Sequence, residues 1–277
     1  MKSFENKVAA ITGAGSGMGR SLAVQLARGK CEVALSDVNE AGLAETVRLA
    51  SQYGVKVTSK KVDVADRAAV YAWAEEVARD HGRVNLIFNN AGVALGATVD
   101  GVSYEDFEWI VGINFWGVVY GTKAFLPHLK ASGDGHIINT SSVFGLMGVP
   151  SQSAYNATKF AVRGFTEALR QELELAGVPV SATSVHPGGI KTNIAKAARM
   201  TASIRDIGLD DKRSSEKFEK MFITTADRAA AIILKAVRCN KRRVLVGPDA
   251  HAIDLMVRLF PSGYQRIASL LARSSMR

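Results

Sequence analysis

The feature of the sequence that most restricts the fold is a regular alternation of short apolar runs with longer segments of helical period. Segments between the runs, such as EAGLAETVRLASQYG, carry apolar residues every three or four positions, which is typical of helices with one buried face. Runs such as VNLIF show little alternation of apolar and polar residues, which favours strands buried on both faces. Strand followed by helix, repeated, predicts an α/β fold: a doubly wound sheet of about seven parallel strands with helices on both faces. The runs are residues 7–12, 31–37, 55–64, 84–90, 136–142, 178–188 and 242–248.

The composition is typical of a globular protein with one large core. The chain has 277 residues, of which 47% are hydrophobic and 22% are charged, and neither a repeat nor a low-complexity linker interrupts the pattern. We therefore expect a single domain over residues 1–277. No stretch approaches the roughly 20 apolar residues of a membrane span, and the apolar run near the N-terminus is too short for a secretory signal.

Cysteine and histidine usage argues against a disulfide framework and against a metal site. The two cysteines, Cys31 and Cys239, lie far apart, and the five histidines are scattered rather than set at metal-ligand spacings. This usage favours a reducing compartment. We expect a cytoplasmic protein that binds no metal.

The net charge of +9 raises the question of a nucleic acid or another anionic partner. Basic residues are concentrated in 238–243 and in arginines near the C-terminus, but through most of the chain they alternate with acidic residues. No nucleic-acid-binding motif accompanies the charge. We expect no nucleic-acid partner.

A glycine-rich turn follows the first apolar run. In TGAGSGMG, residues 12–19, the glycines Gly13, Gly17 and Gly19 stand between a predicted strand and a predicted helix. Backbone N–H groups at such a turn can approach a pyrophosphate without obstruction by side chains. In this position, the turn predicts a dinucleotide site at the carboxyl edge of the sheet.

The second apolar run ends in an acid, Asp37. A carboxylate at this position can accept hydrogen bonds from the adenosine ribose and would repel a 2′-phosphate, which favours NAD over NADP. Arg20 lies close to the glycine turn and could hold a phosphate, so NADP stays as the alternative. Asp37 as a plain helix cap or a solvated turn residue is the other alternative.

Tyr155 and Lys159 stand four residues apart in YNATK, within a segment of helical period. At this spacing two side chains lie on the same face of a helix, so the phenol and the ammonium could serve one site. An alcohol that gives up hydride must lose a proton, and a carbonyl that accepts hydride must gain one. A phenol titrates near pH 10, and a neighbouring cation would lower its pKa toward neutrality. Two solvated side chains are the alternative interpretation of this spacing alone.

The order of these motifs resembles that of the short-chain dehydrogenase/reductase family over nearly the whole chain. The resemblance is carried by the TGxxxGxG turn at 12–19, by NNAG at 89–92, and by Ser142, Tyr155 and Lys159 at the spacing of the family. It implies a Rossmann fold, an NAD(P)-dependent oxidoreductase and a homodimer or homotetramer.

The resemblance also gives roles to individual residues. Tyr155 would be the acid or base, Lys159 would lower its pKa and hold the nicotinamide ribose, Ser142 would bind the substrate oxygen, and Asn114 would bend its helix and hold a water of the proton relay. The implied cofactor-binding residues are Gly13, Ser16, Gly17, Met18, Gly19, Asp37, Asp63, Val64, Asn90, Ala91, Gly92, Tyr155, Lys159, Pro187, Gly188, Ile190 and Thr192. His186, just before the Pro-Gly motif, is expected to be a packing residue because the tetrad leaves it no role.

Two segments are expected to cover the substrate: the loop after Ser142 and a lid at about 189–224. Their apolar content favours a lipophilic alcohol or ketone, and packing of the segments against the body is the alternative. The apolar residues are Phe144, Leu146, Met147, Val149, Ile194, Met200, Ile204, Ile207, Leu209, Met221 and Phe222.

The C-terminal extension, at about 249–277, carries apolar residues at helical spacing with arginines between them. Such a basic amphipathic end could contact a membrane surface, although an oligomer contact or packing on the body is the commoner use. The apolar residues are Ile253, Met256, Val257, Phe260, Ile267, Leu270 and Leu271.

Taken together, the sequence predicts an oxidoreductase that transfers hydride between NAD(H) and a secondary alcohol or ketone, with Tyr155 as acid or base. Three alternatives remain: an NADP-dependent carbonyl reductase, a catalytically silent NAD-binding regulator, and a sugar-nucleotide epimerase or dehydratase of a related group. The intact set of four catalytic types argues against a silent regulator. The glycine spacing and the short C-terminal segment argue against the epimerase group.

Overall fold

Seven parallel strands form the central sheet in this structure, a computed structural model that describes residues 1–208 and 222–274, with side chains to residue 270. The strands are β1 (Val8–Thr12), β2 (Glu32–Asp37), β3 (Val57–Lys61), β4 (Leu86–Asn89), β6 (Gly135–Thr140), β7 (Val180–Pro187) and β11 (Arg243–Val246). They lie in the order β11-β7-β6-β4-β1-β2-β3, so the chain builds the sheet outward in both directions from β1. The prediction of a doubly wound parallel sheet is confirmed, and each of the seven apolar runs overlaps one of its strands.

Two short parallel pairs lie outside the main sheet at its carboxyl edge. Strand β5 (Leu95–Gly96) pairs with β9 (Arg199–Met200), and β8 (Ile190–Lys191) pairs with β10 (Thr224–Thr225). The first pair attaches the predicted lid to the body, and the second joins the two ends of the lid to each other.

Helices cover both faces of the sheet. Side chains at polar N-caps receive the first free N–H groups, as Asp66 does from Ala69 and Ser103 does from Asp106. The described helices are α1 (Gly17–Arg28), α2 (Glu40–Ser51), α3 (Arg67–His81), α4 (Tyr104–Val111), α5 (Gly117–Ala131), α6 (Ser153–Leu175), α7 (Ala226–Arg238), α8 (Pro248–Leu259) and α9 (Tyr264–Ser274).

The alternation of side chains along each strand builds one core on each face of the sheet. In β1, Ala9 and Ile11 face a core that α1, α2 and α7 complete. Val8 and Ala10 face the opposite core, which α3, α5 and α6 complete and where the rings of Trp73 and Phe125 meet edge to face at 5.1 Å. Burial on both faces explains why the central runs are almost wholly apolar.

The end of β3 differs from its sequence-based boundary. β3 ends at Lys61 rather than at Val64, because after it Val62 N–H donates to the carbonyl of Asp37 and Asp63 begins a turn closed by Asp66 N–H. Asp63 is therefore a loop residue. β7 extends through Pro187, within its predicted run, since its neighbour β11 pairs with it up to that residue. His186 is therefore a strand residue.

Several expectations concern membranes, metals and cysteines. No helix in the described ranges is long and apolar enough to cross a membrane. Within those ranges no group of three or more His, Cys, Asp or Glu side chains is placed to hold a metal ion. Cys31 is buried and Cys239 exposed, and both are free thiols. Leu209 and Met221 of the predicted lid lie outside the described residues, as does the side chain of Leu271.

Candidate active site

A cleft of about 290 Å³ opens at the carboxyl edge of the sheet, where β1 lies between β4 and β2. The chain winds in opposite directions from this point, which is where ligands bind in open α/β sheets. The cleft is lined by Gly13, Ser16, Gly17, Met18, Asp37, Val38, Val62, Asp63, Val64, Asn90, Ala91, Gly92, Val93, Ile113, Thr192, Asn193, Ile194 and Ala197.

The glycine turn leaves the start of α1 open to a ligand. Gly13 and Gly17 have positive φ angles of 64° and 51°, and a Cβ at Gly13 would lie 2.8 Å from the Cα of Ala91. A Cβ at Gly19 would lie 2.0 Å from the carbonyl oxygen of Gly13, so this glycine serves close packing beneath the turn rather than the cleft itself. Ser16 makes no side-chain cap, and the first N–H groups of α1 can therefore serve an anion. The turn fits a pyrophosphate.

Asp37 is held rigidly at the edge of this cleft. Its Oδ2 accepts from Gly15 N at 2.8 Å and its Oδ1 accepts from Asn39 N at 2.9 Å. The cap of α2 is Asn39, whose side chain accepts from Gly42 N, so the interpretation of Asp37 as a helix cap is wrong.

Arg20 does not line the cleft. Its guanidinium donates to Thr46 Oγ1 at 3.0 Å and to the carbonyl oxygens of Gly15 and Gly42, which ties α1 to the start of α2. The basic residue that kept NADP as an alternative is therefore hydrogen bonded within the fold and is not among the residues that line the cleft.

Asn90, which follows β4, holds the glycine turn in place through hydrogen bonds. Its Nδ2 donates to the carbonyl oxygens of Thr12 and Gly13 at 3.1 and 3.3 Å, while Thr12 Oγ1 accepts from the N–H groups of Asn90 and Ala91. Thr12, which the prediction of site residues left out, thus holds the backbone at Asn90 and Ala91, which line the cleft. Thr12 ends β1, next to the end of β4, and a hydroxyl at that position is the sequence signal that could have identified it.

Asn114 is fully buried within a π-helical turn, Gly112–Trp116, between α4 and α5. Its Oδ1 accepts from Val93 N at 2.8 Å and its Nδ2 donates to the carbonyl oxygen of Val93 at 2.9 Å. π-turns often mark functional positions in helices. The expected distortion of the helix at Asn114 is present, and the side chain fixes the backbone just after Gly92.

Ser142, Tyr155 and Lys159 converge beside the cleft. Ser142 follows β6, and its Oγ accepts from Phe144 N at 3.1 Å. Tyr155 and Lys159 lie on one face of α6, with Lys159 Nζ 5.5 Å from the centre of the tyrosine ring and donating to the carbonyl oxygen of Thr140 at 3.0 Å. A Cβ at Gly92 would lie 3.5 Å from Lys159 Nζ, so the ammonium borders the cleft.

Burial dominates the titration of the pair. It raises the pKa of Tyr155 to about 12, against the opposing effect of a hydrogen bond with Ser142, and it lowers the pKa of Lys159 to about 8. The sequence-based expectation of a lowered phenol pKa is therefore not met in the chain by itself. Desolvation penalises the phenolate more than its neighbours stabilise it.

Not every predicted cofactor residue lines the cleft. Pro187 ends β7 and Gly188 follows it, and neither lines the cleft. Ile190 is buried in the core that α1 and α7 complete. Tyr155 and Lys159 are not among the lining residues either, although Lys159 borders the cleft at Gly92. Conversely, Val38, Val62, Val93, Ile113, Asn193 and Ala197 line the cleft and were not predicted. Most of them adjoin predicted residues in sequence, and adjacency is the signal that could have found them.

His186 is fully buried behind Ser142. Its Nδ1 donates to the carbonyl oxygen of Ser142 at 3.0 Å, and its Nε2 accepts from Ser184 Oγ at 2.9 Å. Its contacts are those of a packing residue that supports the serine loop.

The predicted substrate segments pack largely against the body. In the loop after Ser142, Leu146 and Met147 are 5% and 6% exposed, and in the lid Ile204 and Phe222 are 1% and 8% exposed. Met200 and Ile207 keep more than a third of their surface, and Ile194 lines the cleft.

Each of the two predicted substrate segments has a contact that fastens it to another part of the chain. Arg199 lies 3.6 Å from the ring centre of Trp109 and donates to Asp106 at 2.8 Å, which fastens the lid to α4. Tyr264, at the start of α9, accepts from Gly148 N at 3.1 Å and so fastens the serine loop to the C-terminal segment.

Comparison with known proteins identifies the family. The sequence model of the short chain dehydrogenase family matches residues 7–203. An oxidoreductase of Mycobacterium tuberculosis, SadH, is 52% identical over 270 residues, which cover 97% of this chain and 96% of that protein.

Solved structures with the same fold agree with this assignment. A short chain dehydrogenase/reductase from Burkholderia phymatum in complex with NAD has a TM-score of 0.87 and 33% identity, over 96% of this chain and 97% of its own. Levodione reductase has a TM-score of 0.77 and 27% identity, over 90% of this chain and 99% of its own. The chain therefore belongs to the short-chain dehydrogenase/reductase family and is an oxidoreductase.

Proposed function

We propose that this protein transfers hydride between NAD(H) and a secondary alcohol or ketone. The observation that carries the proposal is the convergence of Ser142, Tyr155 and Lys159 at the border of a cleft that a glycine turn and Asp37 line. A phenol, a hydroxyl and an ammonium at one border are the groups that proton transfer to an oxygen substrate needs.

NAD fits the described cleft. The open N-terminus of α1 would hold the pyrophosphate, and the fixed carboxylate of Asp37 would accept from the adenosine ribose hydroxyls. Asp63, Val64, Ala91, Gly92 and Thr192 would supply the walls around the adenine and the nicotinamide. The NAD complex of the Burkholderia relative supports this choice.

Tyr155 would exchange the proton with the substrate oxygen. Nicotinamide, when bound, supplies or accepts the hydride. A phenol with a pKa of about 12 holds its proton at neutral pH, as an acid for ketone reduction must. For alcohol oxidation the phenolate is required, and protonated Lys159 would stabilise it across the 5.5 Å that separates Nζ from the ring centre.

Ser142 and Asn114 would support this exchange. The Ser142 hydroxyl, which interacts with Tyr155, has one proton and would turn to donate it to the substrate oxygen, where it would stabilise charge that develops. Both amide atoms of Asn114 are hydrogen bonded to Val93, so Asn114 would fix the backbone just after Gly92. The family resemblance implies a water of the proton path beside it.

The substrate is proposed to be lipophilic. Exposed apolar surface at Met200 and Ile207, together with Ile194 in the cleft, supports an apolar ligand. The burial of Leu146, Met147, Ile204 and Phe222 favours a packing role for those four. The name of levodione reductase supports a ketone as the oxidised substrate.

The proposal is tested by reduced-nicotinamide absorbance with NAD and NADP in parallel against secondary alcohols, steroids, retinoids and long-chain alcohols. The Tyr155→Phe variant should bind NADH with wild-type affinity by calorimetry and lose at least about a thousandfold in kcat, within the range of general acid–base contributions. Tyr71→Phe, the same substitution at a tyrosine of α3 that is 40% exposed, is the matched control and should keep wild-type turnover. A Tyr155→Phe enzyme with wild-type kcat would remove Tyr155 from the acid–base role.

Two alternative functions have distinct outcomes in this assay. An NADP-dependent carbonyl reductase would turn over faster with NADPH than with NADH, and the orientation of Arg20 and Asp37 speaks against it. A silent regulator would bind NADH without turnover on any member of the panel.

We also propose that the chain is a homodimer or homotetramer in the cytoplasm. Trp116 and Phe160, near Asn114 and Tyr155, are 45% and 41% exposed, and burial of such surface between subunits would be favourable. Light scattering of the wild type and of Phe160→Glu measures the state directly, and the charge at the proposed contact should lower the mass.

We propose peripheral membrane contact through the C-terminal segment as a second role of exposed apolar surface. Leu255, Leu259 and Leu270 are 57%, 63% and 64% exposed, and no acidic residue follows Asp254. Flotation with vesicles that contain phosphatidylglycerol, at low and high salt, tests the contact.

A further inference from the structure

Asp249 reaches from the C-terminal segment to the cleft wall, which we define as residues 189–197. The residue lies in the first turn of α8, and its Oδ2 accepts from Gly189 N at 2.6 Å. The cleft wall leaves the sheet at this point. Four residues that line the cleft follow directly: Thr192, Asn193, Ile194 and Ala197.

Two glycines lie so close to the Asp249 carboxylate that neither position has space for a side chain. A Cβ at Gly188 would lie 2.1 Å from Oδ2 of Asp249, and a Cβ at Gly247 would lie 2.4 Å from Oδ1. Gly247 also has a φ of 106°, which favours glycine. The turn at Gly247 therefore places the carboxylate directly over Gly188.

One oxygen of this carboxylate has an unusual environment. Asp249 Oδ1 is buried and has no hydrogen-bond partner among the residues that the structure describes. A buried polar atom without a partner costs free energy, so the fold retains Asp249 here at a cost. The contact with Gly189 is the local interaction that offsets it.

Asp249 also lies where both ends of the predicted lid meet. The carbonyl oxygen of Gly189 accepts from Thr224 N, and Ile190–Lys191 pairs with Thr224–Thr225. Gly189 is thus fixed on its N–H side by Asp249 and on its carbonyl side by Thr224.

We propose that Asp249 is a positioning residue that fixes the root of the cleft wall. A charge-assisted hydrogen bond at Gly189 orients the backbone before Thr192, and the wall that faces the nucleotide follows from that orientation. The effect on turnover rests on the proposed function, whereas the effect on the wall itself is independent of any reaction.

Limited trypsin digestion measures the wall directly, because Lys191 and Lys196 lie within it. Asp249→Ala should raise the rate of cleavage after these lysines about tenfold, the effect expected from loss of a hydrogen bond to a charged group. Asp249→Asn should restore most of the wild-type rate, because its side-chain oxygen can still accept from Gly189 N. The dissociation constant for NADH should rise in Asp249→Ala by a similar factor.

Asp254→Ala is the matched control. Asp254 lies on the same helix and forms ion pairs with Arg243 and Arg258, away from the wall. Its removal should leave cleavage at Lys191 and Lys196 unchanged. Equal acceleration in Asp249→Ala and Asp254→Ala would mean general loosening of α8 and would overturn the proposal, as would a wild-type rate in Asp249→Ala.

Hydrogen exchange on the unmodified protein provides a test that does not depend on the folding of a variant. The Gly189 amide should exchange as slowly as amides of β7 in the sheet, since it donates to a buried carboxylate. Rapid exchange at Gly189 would show that the bond is not held in solution and would refute the proposal. A slow Gly189 amide in a protein that turns over none of the substrates would leave the role of Asp249 intact and would instead point to a failure of the proposed reaction.

Discussion

Acid should destabilise this protein through two histidines that the fold holds neutral. His136 in β6 and His186 in β7 are 2% and 0% exposed. Burial, reinforced by the positive charge of Arg170, lowers the pKa of His136 to about 3. Burial also lowers the pKa of His186 to about 4, although its hydrogen bond to the Ser142 carbonyl opposes the shift.

The hydrogen bonds define which ring nitrogens carry a proton. Thr183 Oγ1 donates to the carbonyl of Lys241 at 2.6 Å, so it accepts from His136 Nε2 at 2.7 Å. His186 uses Nδ1 as a donor to Ser142 and Nε2 as an acceptor from Ser184. A second proton on His186 would remove the acceptor that the Ser184 hydroxyl uses.

The sign and the size of the effect follow from the lowered pKa values. In the unfolded chain each histidine binds a proton near pH 6.5. In the folded chain the pKa is about 3 for His136 and about 4 for His186. The stabilisation is therefore fully present above pH 6.5 and is lost as the pH falls toward these folded values. The two groups together should lower the free energy of unfolding by about 3 kcal/mol between roughly pH 6.5 and pH 5.

Urea unfolding followed by circular dichroism at a series of pH values measures this loss. His136→Gln and His186→Gln should each reduce the dependence on pH by about half, since each removes one titrating group. His251→Gln is the control, because His251 is exposed on α8 and should leave the dependence unchanged. A wild-type slope in both buried-histidine variants would refute the assignment of acid sensitivity to these two rings.

Two further predictions concern the nucleotide cleft. Asp37→Asn keeps an oxygen that accepts from Gly15 N but removes the charge, so kcat/KM with NADP should rise about tenfold relative to kcat/KM with NAD. Glu40 is an exposed acid nearby, and Glu40→Gln should change this ratio much less. Equal effects of the two substitutions would contradict the role of Asp37. Gly19→Ala should lower the free energy of unfolding by at least about 2 kcal/mol in urea titrations, because its Cβ would lie 2.0 Å from the Gly13 carbonyl oxygen. Gly164→Ala in α6 meets nothing within 4 Å and should be neutral or stabilising, so a similar loss there would show that steric contact is not the cause.

The interpretation of Tyr155 and Lys159 shows how far local spacing reaches. Four residues of separation within a helical pattern place two side chains on one face, and the structure has both on one face of α6. The direction of the tyrosine pKa depends on how much protein surrounds the hydroxyl, which no spacing records. The sequence therefore predicted the pair correctly and its titration in the isolated chain incorrectly.

Arg20 and Asp249 both make contacts that proximity along the chain does not predict. Arg20 donates to the carbonyl of Gly15 in the neighbouring glycine turn, but its other partners lie in α2. Asp249 lies 60 residues from Gly189 and shares no motif with it, yet the two are hydrogen bonded. The contacts with α2 and with Gly189 depend on how separate helices are placed on the sheet.

The sequence by itself determined the α/β class, the seven strands, the glycine turn and the four residue types at the candidate site. These features arise from local causes: hydrophobic period, the conformational freedom of glycine and the repeat of the helix. Only the tertiary structure decided which residues form the cleft walls, which histidines are neutral, and that Asp249 fixes Gly189. Those outcomes depend on burial and on contacts between residues far apart in sequence, and both exist only once the helices have packed on the sheet.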